Sequence, residues 1–381
     1  MLHDSKIKER VRLLAIAGTA ALAFTAVAAI APGGPAARAA VSYAQPGIAV
    51  ADGNTVIAVQ TSGDGLRFYW NQHGTNNWYG EQVAANGTTF SAPAIIPDGN
   101  SVVIAARGVN SSLDFYWQVD GTSPWHPEVV AGTRTTYSAP SIAQDGNGVI
   151  ISAEGPSNSL DFYWAVNGSS TWNPEIVTGA GTTYSAPAET VNGNSVNITA
   201  EGPGNSLDFY WAVNGSSTWN PEVVAGSGTT DSAPVIAASD NWVTIAAVNG
   251  VGLGLISYSA QDGTSTWIVD GPPGTFGAYV SAIVPSMVAY QGFDFVAETG
   301  LEGDLDAIAS IDNAPNNWWS NRIAPDSTAA SSPALTFNNG DMNIAYIGGD
   351  GNLYFYWTTG DSVDSNVWQK ETVDTAANLG G

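Results

Sequence analysis

The chain is expected to fold as an all-β protein, a seven-bladed β-propeller of four-stranded blades, and three features of its 381 residues lead there. First, the stretch NSLDFYWAVNGSSTWNPE occurs twice, letter for letter, at 158–175 and 205–222. Second, its landmarks recur along the chain. Its leucine returns as Leu66, Leu113, Leu160, Leu207, Leu255, Leu305 and Leu353, at intervals of 47 to 50 residues. Its second tryptophan returns as Trp78, Trp125, Trp172, Trp219, Trp267, Trp318 and Trp368. An x-A-P or S-x-P marker gives Pro46, Pro93, Pro140, Pro187, Pro234 and Pro333, with Ile283 in the remaining copy. Repeats of this length are stacked helices or propeller blades. The third feature decides: Leu160, Phe162 and Trp164 alternate with Asp161 and Tyr163, a period of two rather than 3.6.

Each unit then reads as four strands in order. The first follows the Pro marker and ends at a D-G-N turn, Asp98-Gly99-Asn100 or Asp145-Gly146-Asn147. The second is a β-branched run, as in Val102-Val103-Ile104 and Val149-Ile150-Ile151. It ends in an A-E-G-P turn, after which L-D-F-Y-W forms the third strand. A V-N-G-S turn leads into W-N-P-E-V-V, the fourth. The 43 glycines and 20 prolines would break a stack of helices. Four strands taken seven times make a propeller. A lone blade has two apolar faces and cannot bury them alone, so every blade must present the same contact surface. The repeated Leu, Phe and Trp are expected to be that surface. Whole units are expected to close the ring without a strand borrowed from the other terminus.

The order of turn, S-A-P strand, G-P turn, L-D strand and aromatic strand in PEIVTGAGTTYSAPAETVNGNSVNITAEGPGNSLDFYWAVNG resembles the repeat of the PLL-type seven-bladed bacterial lectins. That resemblance implies a secreted propeller binding fucose and related sugars in shallow sites between blades. It departs from the family in the W-N-P-E tail, so the sugar and its contact residues are not carried over.

Residues 1–40 are expected to be a secretory signal peptide, leaving 41–381 as a single domain. Lys6, Lys8, Arg10 and Arg12 form its positive end, Leu13 to Ile30 its uncharged run, and Ala37-Arg38-Ala39 its cleavage signal. A retained membrane anchor is the alternative, since the run is near the lower length limit for a span. Removal leaves five basic against thirty-two acidic residues, a net charge of −27. Phosphate backbones demand clustered Lys and Arg, which the chain lacks, so nucleic acid and anionic lipid surfaces are poor partners. There is no cysteine and there are three histidines. No disulfide, zinc site or other cofactor is expected, and the core alone must hold the fold.

Two groups of residues are candidates for a binding site. One is a W-x-x-acid pattern: Trp78 and Glu81, Trp125 and Glu128, Trp172 and Glu175, Trp219 and Glu222. It continues as Trp267 and Asp270 and as Trp368 and Glu371, and breaks at Trp318 and Asn321. An indole face beside a carboxylate suits a sugar, whose C–H groups stack on the ring while its hydroxyls donate to the acid. Equally, the Trp can plug the cleft between blades. The other group is Asp114, Asp161 and Asp208 with Tyr116, Tyr163 and Tyr210, which packing or recent duplication explains as well as binding does. A third repeated position, closing the second strand, reads Gln60, Arg107, Glu154, Glu201, Val248, Glu298 and Ile347.

A glycoside hydrolase needs one unlike pair of carboxylates, whereas these polar groups repeat almost unchanged. No Asp box, arginine cluster or Ser/His/Asp set accompanies them. Repeated equal sites suit multivalent binding, where effective concentration multiplies a weak contact. The expectation is a secreted lectin-like propeller for neutral glycans or glycoproteins. A protein-interaction scaffold is the alternative, and a glycosidase a more remote one. At −27 the chain repels polyanions within a Debye length of about 8 Å, which favours neutral sugars. Clefts at blades 1 to 4 are expected to bind, and blade 7 is a further candidate. Units five and six, which read LISYS and LDAIA in the aromatic strand, are not.

Overall fold

A computed structural model describes residues 43–379, except 72–75, 120, 240, 250–253, 272–283, 301–302, 312–317, 326–327, 359–367 and 377. The expected signal peptide, Val41, His73 and Ile283 lie outside the described residues.

The described residues form seven four-stranded antiparallel sheets. They span 47–84, 94–131, 141–178, 188–225, 235–270, 286–324 and 334–374, and each is built from four consecutive strands. The first strand of every blade touches the first strand of the next, and that of blade 7 touches that of blade 1. The chain is therefore a seven-bladed propeller. No strand is exchanged at the closure. The 7|1 seam is instead packed by Ile57, Val59 and Tyr69 against Ala345, Leu353, Phe355 and Leu379. Tyr69 also donates to Asp374 at 2.7 Å across it.

The sequence markers now have physical causes. In blade 3, Ser141–Asp145, Gly148–Glu154, Leu160–Val166 and Asn173–Thr178 are the four strands. The S-A-P serine caps the open end of the second strand. Ser91, Ser138, Ser185, Ser232 and Ser331 accept the backbone N–H of Arg107, Glu154, Glu201, Val248 and Ile347 at 2.9 to 3.1 Å. The D-G-N glycines Gly99 and Gly146 adopt φ near +60°, where a side chain is strained. Their aspartates do more than turn the chain. Asp98 accepts from Asn167 of the next blade's V-N-G-S turn at 2.9 Å, and Asp145 accepts from Asn214 in the same way. Each such bond latches one blade to its neighbour.

Between blades, the third strand supplies both faces. Leu160 and Phe162 point toward blade 4, where they pack with Tyr210 and Trp219. Tyr163 points back toward blade 2, packing with Phe115 and Leu113. Each fully buried Leu or Phe contributes about 1.5–3 kcal/mol, and the seams repeat them. The expected Leu/Phe/Trp surface is corrected in one respect. Trp164 is 38% exposed, because it lies toward the open end of its stripe, which finishes at the still more exposed Val166, while Tyr163 is the buried aromatic.

Candidate functional site

The residues of the W-x-x-acid pattern meet, but not within one unit. In five of the seven clefts the indole bonds the carboxylate of the preceding blade, while Trp318 and Trp368 bury their Nε1–H without a partner. Trp125 donates Nε1–H to Glu81 at 2.8 Å, Trp172 to Glu128 at 3.4 Å and Trp219 to Glu175 at 3.3 Å. Trp267 bonds Glu222 at 3.2 Å, and Trp78 bonds Glu371 at 2.7 Å across the ring closure. The pairings Trp78 with Glu81, Trp125 with Glu128, Trp172 with Glu175 and Trp219 with Glu222 are thus corrected. On a strand, residues three apart point to opposite faces, so the Trp of a unit faces the blade behind and its Glu the blade ahead.

Below each of these indoles lies the Phe of the preceding blade. Phe68–Trp125, Phe115–Trp172, Phe162–Trp219, Phe209–Trp267 and Phe355–Trp78 all meet edge to face, with centroids 5.0 to 5.3 Å apart. A second indole, from the preceding blade's own third strand, takes the other carboxylate oxygen. Trp117 bonds Glu128 at 2.9 Å, and Trp164 and Trp211 bond Glu175 and Glu222 at 3.1 Å. In blade 1, among the described residues, there is no second indole on the glutamate; Gln118 of the neighbouring blade donates at 2.6 Å to the same Glu81 oxygen, Oε1, that Trp125 bonds. Clefts 2|3, 3|4 and 4|5 are therefore carboxylates clamped between two tryptophans. Each carboxylate oxygen has two lone pairs, so one indole bond per oxygen leaves acceptor capacity free on Glu128 and Glu175, whereas Glu222 Oε1 also accepts from the Ser265 hydroxyl at 3.0 Å and leaves capacity on Oε2.

The rims differ. The residue opposite the third-strand Trp is Tyr79 in blade 1 and His126 in blade 2, and both stack on it, at 5.7 Å over Trp70 and 4.3 Å over Trp117. In blades 3 and 4 it is Asn173 and Asn220, which bond the backbone of Trp164 and Trp211 instead. Trp164 consequently presents an open ring.

The aspartate and tyrosine candidates also come together, at the other end of the strand. Tyr210 donates to Asp208 at 3.5 Å, and Ser112, Ser159 and Ser206 donate to Asp114, Asp161 and Asp208 at 2.8 to 2.9 Å. Tyr116, Tyr163 and Tyr210 are buried in the seams, between 3% and 5% exposed. Burial pushes the Tyr116 and Tyr163 hydroxyls up to about 12, and the same desolvation raises all three carboxyls. The Asp carboxylates lie against Gly108, Gly155 and Gly202. A methyl group there would lie 1.9, 2.3 and 2.1 Å from Oδ2. In each seam the buried tyrosine ring separates this group from the indole–carboxylate pair.

At the third repeated position, Glu154 and Glu201 accept from Asn158 and Asn205 at 2.7 and 2.8 Å. Register places Thr299, not Glu298, opposite Leu305, so blade 6 has no acid at that position. The residues that sequence reasoning missed are Trp117, Trp164 and Trp211. Their signal was present, as the last aromatic residue of an alternating stripe that ends one valine later at a turn.

No protein-family model and no curated protein matches the chain. Solved structures do. The BP39L lectin from Burkholderia pseudomallei is 17% identical, with 87% of this chain and 99% of that one covered and a TM-score of 0.72. The Aleuria aurantia lectin in complex with Fucα1-6GlcNAc is 14% identical, covering 74% and 96%, with a TM-score of 0.51. A prolyl endopeptidase is 12% identical, covering 88% of this chain and 50% of that one, with a TM-score of 0.53. At these identities the likeness is one of fold. The class is therefore the seven-bladed β-propeller, in a fold shared with bacterial and fungal lectins and with a peptidase.

Proposed function

We propose that the chain is a secreted, multivalent carbohydrate-binding propeller that takes neutral sugars in the clefts 7|1, 1|2, 2|3, 3|4 and 4|5. The observation that carries this is the repeated indole–carboxylate pair, five times over, with a second tryptophan at the rim in three of the clefts. A sugar's C–H face stacks on the rim indole, and its hydroxyls donate to the free lone pairs of the glutamate in charge-assisted bonds. The lectin likeness of the fold supports carbohydrate as the class of ligand. A net charge of −24 for the whole chain, and −27 once residues 1–40 are removed, supports neutral sugars over polyanions. The leader supports export, so a host that secretes the chain should yield a mature protein beginning near residue 41.

The test is a glycan array with competition by free monosaccharide. Binding that neutral monosaccharides displace supports the reading, and an array without glycan binding contradicts it. The scaffold reading has one observation of its own. Val129, Ile176 and Val223 stand 65%, 70% and 68% exposed on the outer strands of blades 2 to 4. Retention of a protein partner in the presence of excess sugar would favour it.

A further inference from the structure

The three double-tryptophan clefts are not equivalent, and single side chains set them apart. In clefts 2|3, 3|4 and 4|5 the rim indole is held alike, because Trp117, Trp164 and Trp211 each donate Nε1–H to Oε1 of the glutamate in their own blade. First strands meet around the ring, so the fourth strand of each blade is the outermost. A fourth-strand side chain paired with the rim tryptophan therefore stands on the outward side of the indole. That side is the one open to a ligand arriving from outside the ring.

In blade 2 this side chain is His126, whose imidazole lies on Trp117 with centroids 4.3 Å apart and planes at 22°. A ring at that separation occupies the layer a stacked sugar would take. In blades 3 and 4 the position holds Asn173 and Asn220, whose amides turn to the backbone oxygens of Trp164 and Trp211. Among the described residues no ring covers either indole from that side. Cleft 4|5 is obstructed differently. Ser265 of blade 5 donates at 3.0 Å to Glu222 Oε1, the oxygen that already accepts from Trp211, and two donors use both of its lone pairs. Glu175 takes one indole bond on each oxygen. Exposure singles out the same cleft, since Trp164 is 38% exposed while Trp117 and Trp211 are half-buried. The rim tryptophans of the other two clefts carry stacked rings as well, Trp70 with Tyr79 at 5.7 Å and Trp357 with Phe355 at 5.6 Å.

We propose that cleft 3|4 is the primary sugar site, and that His126 and Ser265 are the specificity-determining residues that weaken its two neighbours. His126 does so by covering the outward face of Trp117, and Ser265 by occupying an acceptor of Glu222. This order rests on the reading of the clefts as neutral-sugar sites. A sugar entering cleft 2|3 must first displace the imidazole, and losing an aromatic pair lowers affinity about three- to ten-fold. In cleft 4|5 a sugar hydroxyl finds one carboxylate oxygen already filled.

The experiment is a calorimetric titration of the full chain with fucose, galactose, mannose or glucose, whichever competes best on the array. The wild type is expected to show a single tight site per chain, about ten-fold tighter than the rest. His126→Asn, which installs the residue of blades 3 and 4, should add a second tight site with little change in Tm. Ser265→Ala should also add one, and the double variant should combine the two gains. Asn173→His, the reverse exchange, should remove the tight class from the wild type, and His126→Asn serves if that variant folds poorly. A single affinity class in the wild type, or a tight class that neither His126→Asn nor Ser265→Ala enlarges, would overturn the order of the clefts and leave them as sugar sites. An array without glycan binding would overturn both.

Discussion

At the scale of single residues, each repeated tryptophan has a distinct task. Trp172 and its equivalents hold two blades together through an edge-to-face contact and an indole–glutamate bond. Trp164 stands at the rim, 38% exposed, with its ring open. Trp164→Ala should therefore weaken binding of an immobilised neutral glycan several-fold with a small change in Tm. Trp172→Ala should destabilise the ring by about 3 kcal/mol, read by denaturant unfolding, and lose binding in step with stability. A second substitution tests the aspartate group. Gly155→Ala forces a methyl group into the Asp161 carboxylate, and overpacking of this kind costs about 1–3 kcal/mol. The expected result is a lower unfolding midpoint, with Asp161→Ala in the same background recovering part of it.

At the scale of strands and blades, one seam carries an anomaly. The position opposite the central residue of the second strand is Ile48, Ile95, Ile142, Ile236, Met287 and Leu335 in six blades and Glu189 in blade 4. Neither the Glu189 oxygens nor the Ser152 hydroxyl completes a hydrogen bond there. Burial pushes this carboxyl up to about 8 from an ordinary 4.5. A raised carboxyl stabilises the fold where it is protonated in both states, and that advantage falls as pH rises from the unfolded value through the folded one. Stability is expected to decline between pH 4.5 and 8 in the wild type. Glu189→Ile should flatten that decline and raise Tm more at pH 8 than at pH 5, and a parallel shift at both pH values would contradict the assignment. The fold at this scale was legible in the sequence because alternation and turn chemistry are local. The cross-blade partners were not. Trp78 is three residues from Glu81, yet Glu81 bonds Trp125, 44 residues away. Both offsets repeat equally well along the chain, and only the alternation of faces within the fourth strand distinguishes them. The tyrosines were left open between packing and binding for a related reason. Both third-strand stripes are interior in a blade packed on two sides, so period two does not mark one of them as solvent-facing.

At the scale of the whole molecule, five similar clefts on one rigid ring make multivalence the central claim, since each added contact on a surface multiplies avidity. The most direct test is a crystal structure of the chain soaked with a neutral monosaccharide, methyl α-L-fucoside first. The account predicts sugar density stacked on Trp164 and Trp211, with hydroxyls within hydrogen-bond distance of Glu175 and Glu222, and occupancy in further clefts from 7|1 to 2|3. Density confined to surfaces outside these five clefts, or clefts that stay empty under sugar concentrations that displace the protein from glycan, would contradict it.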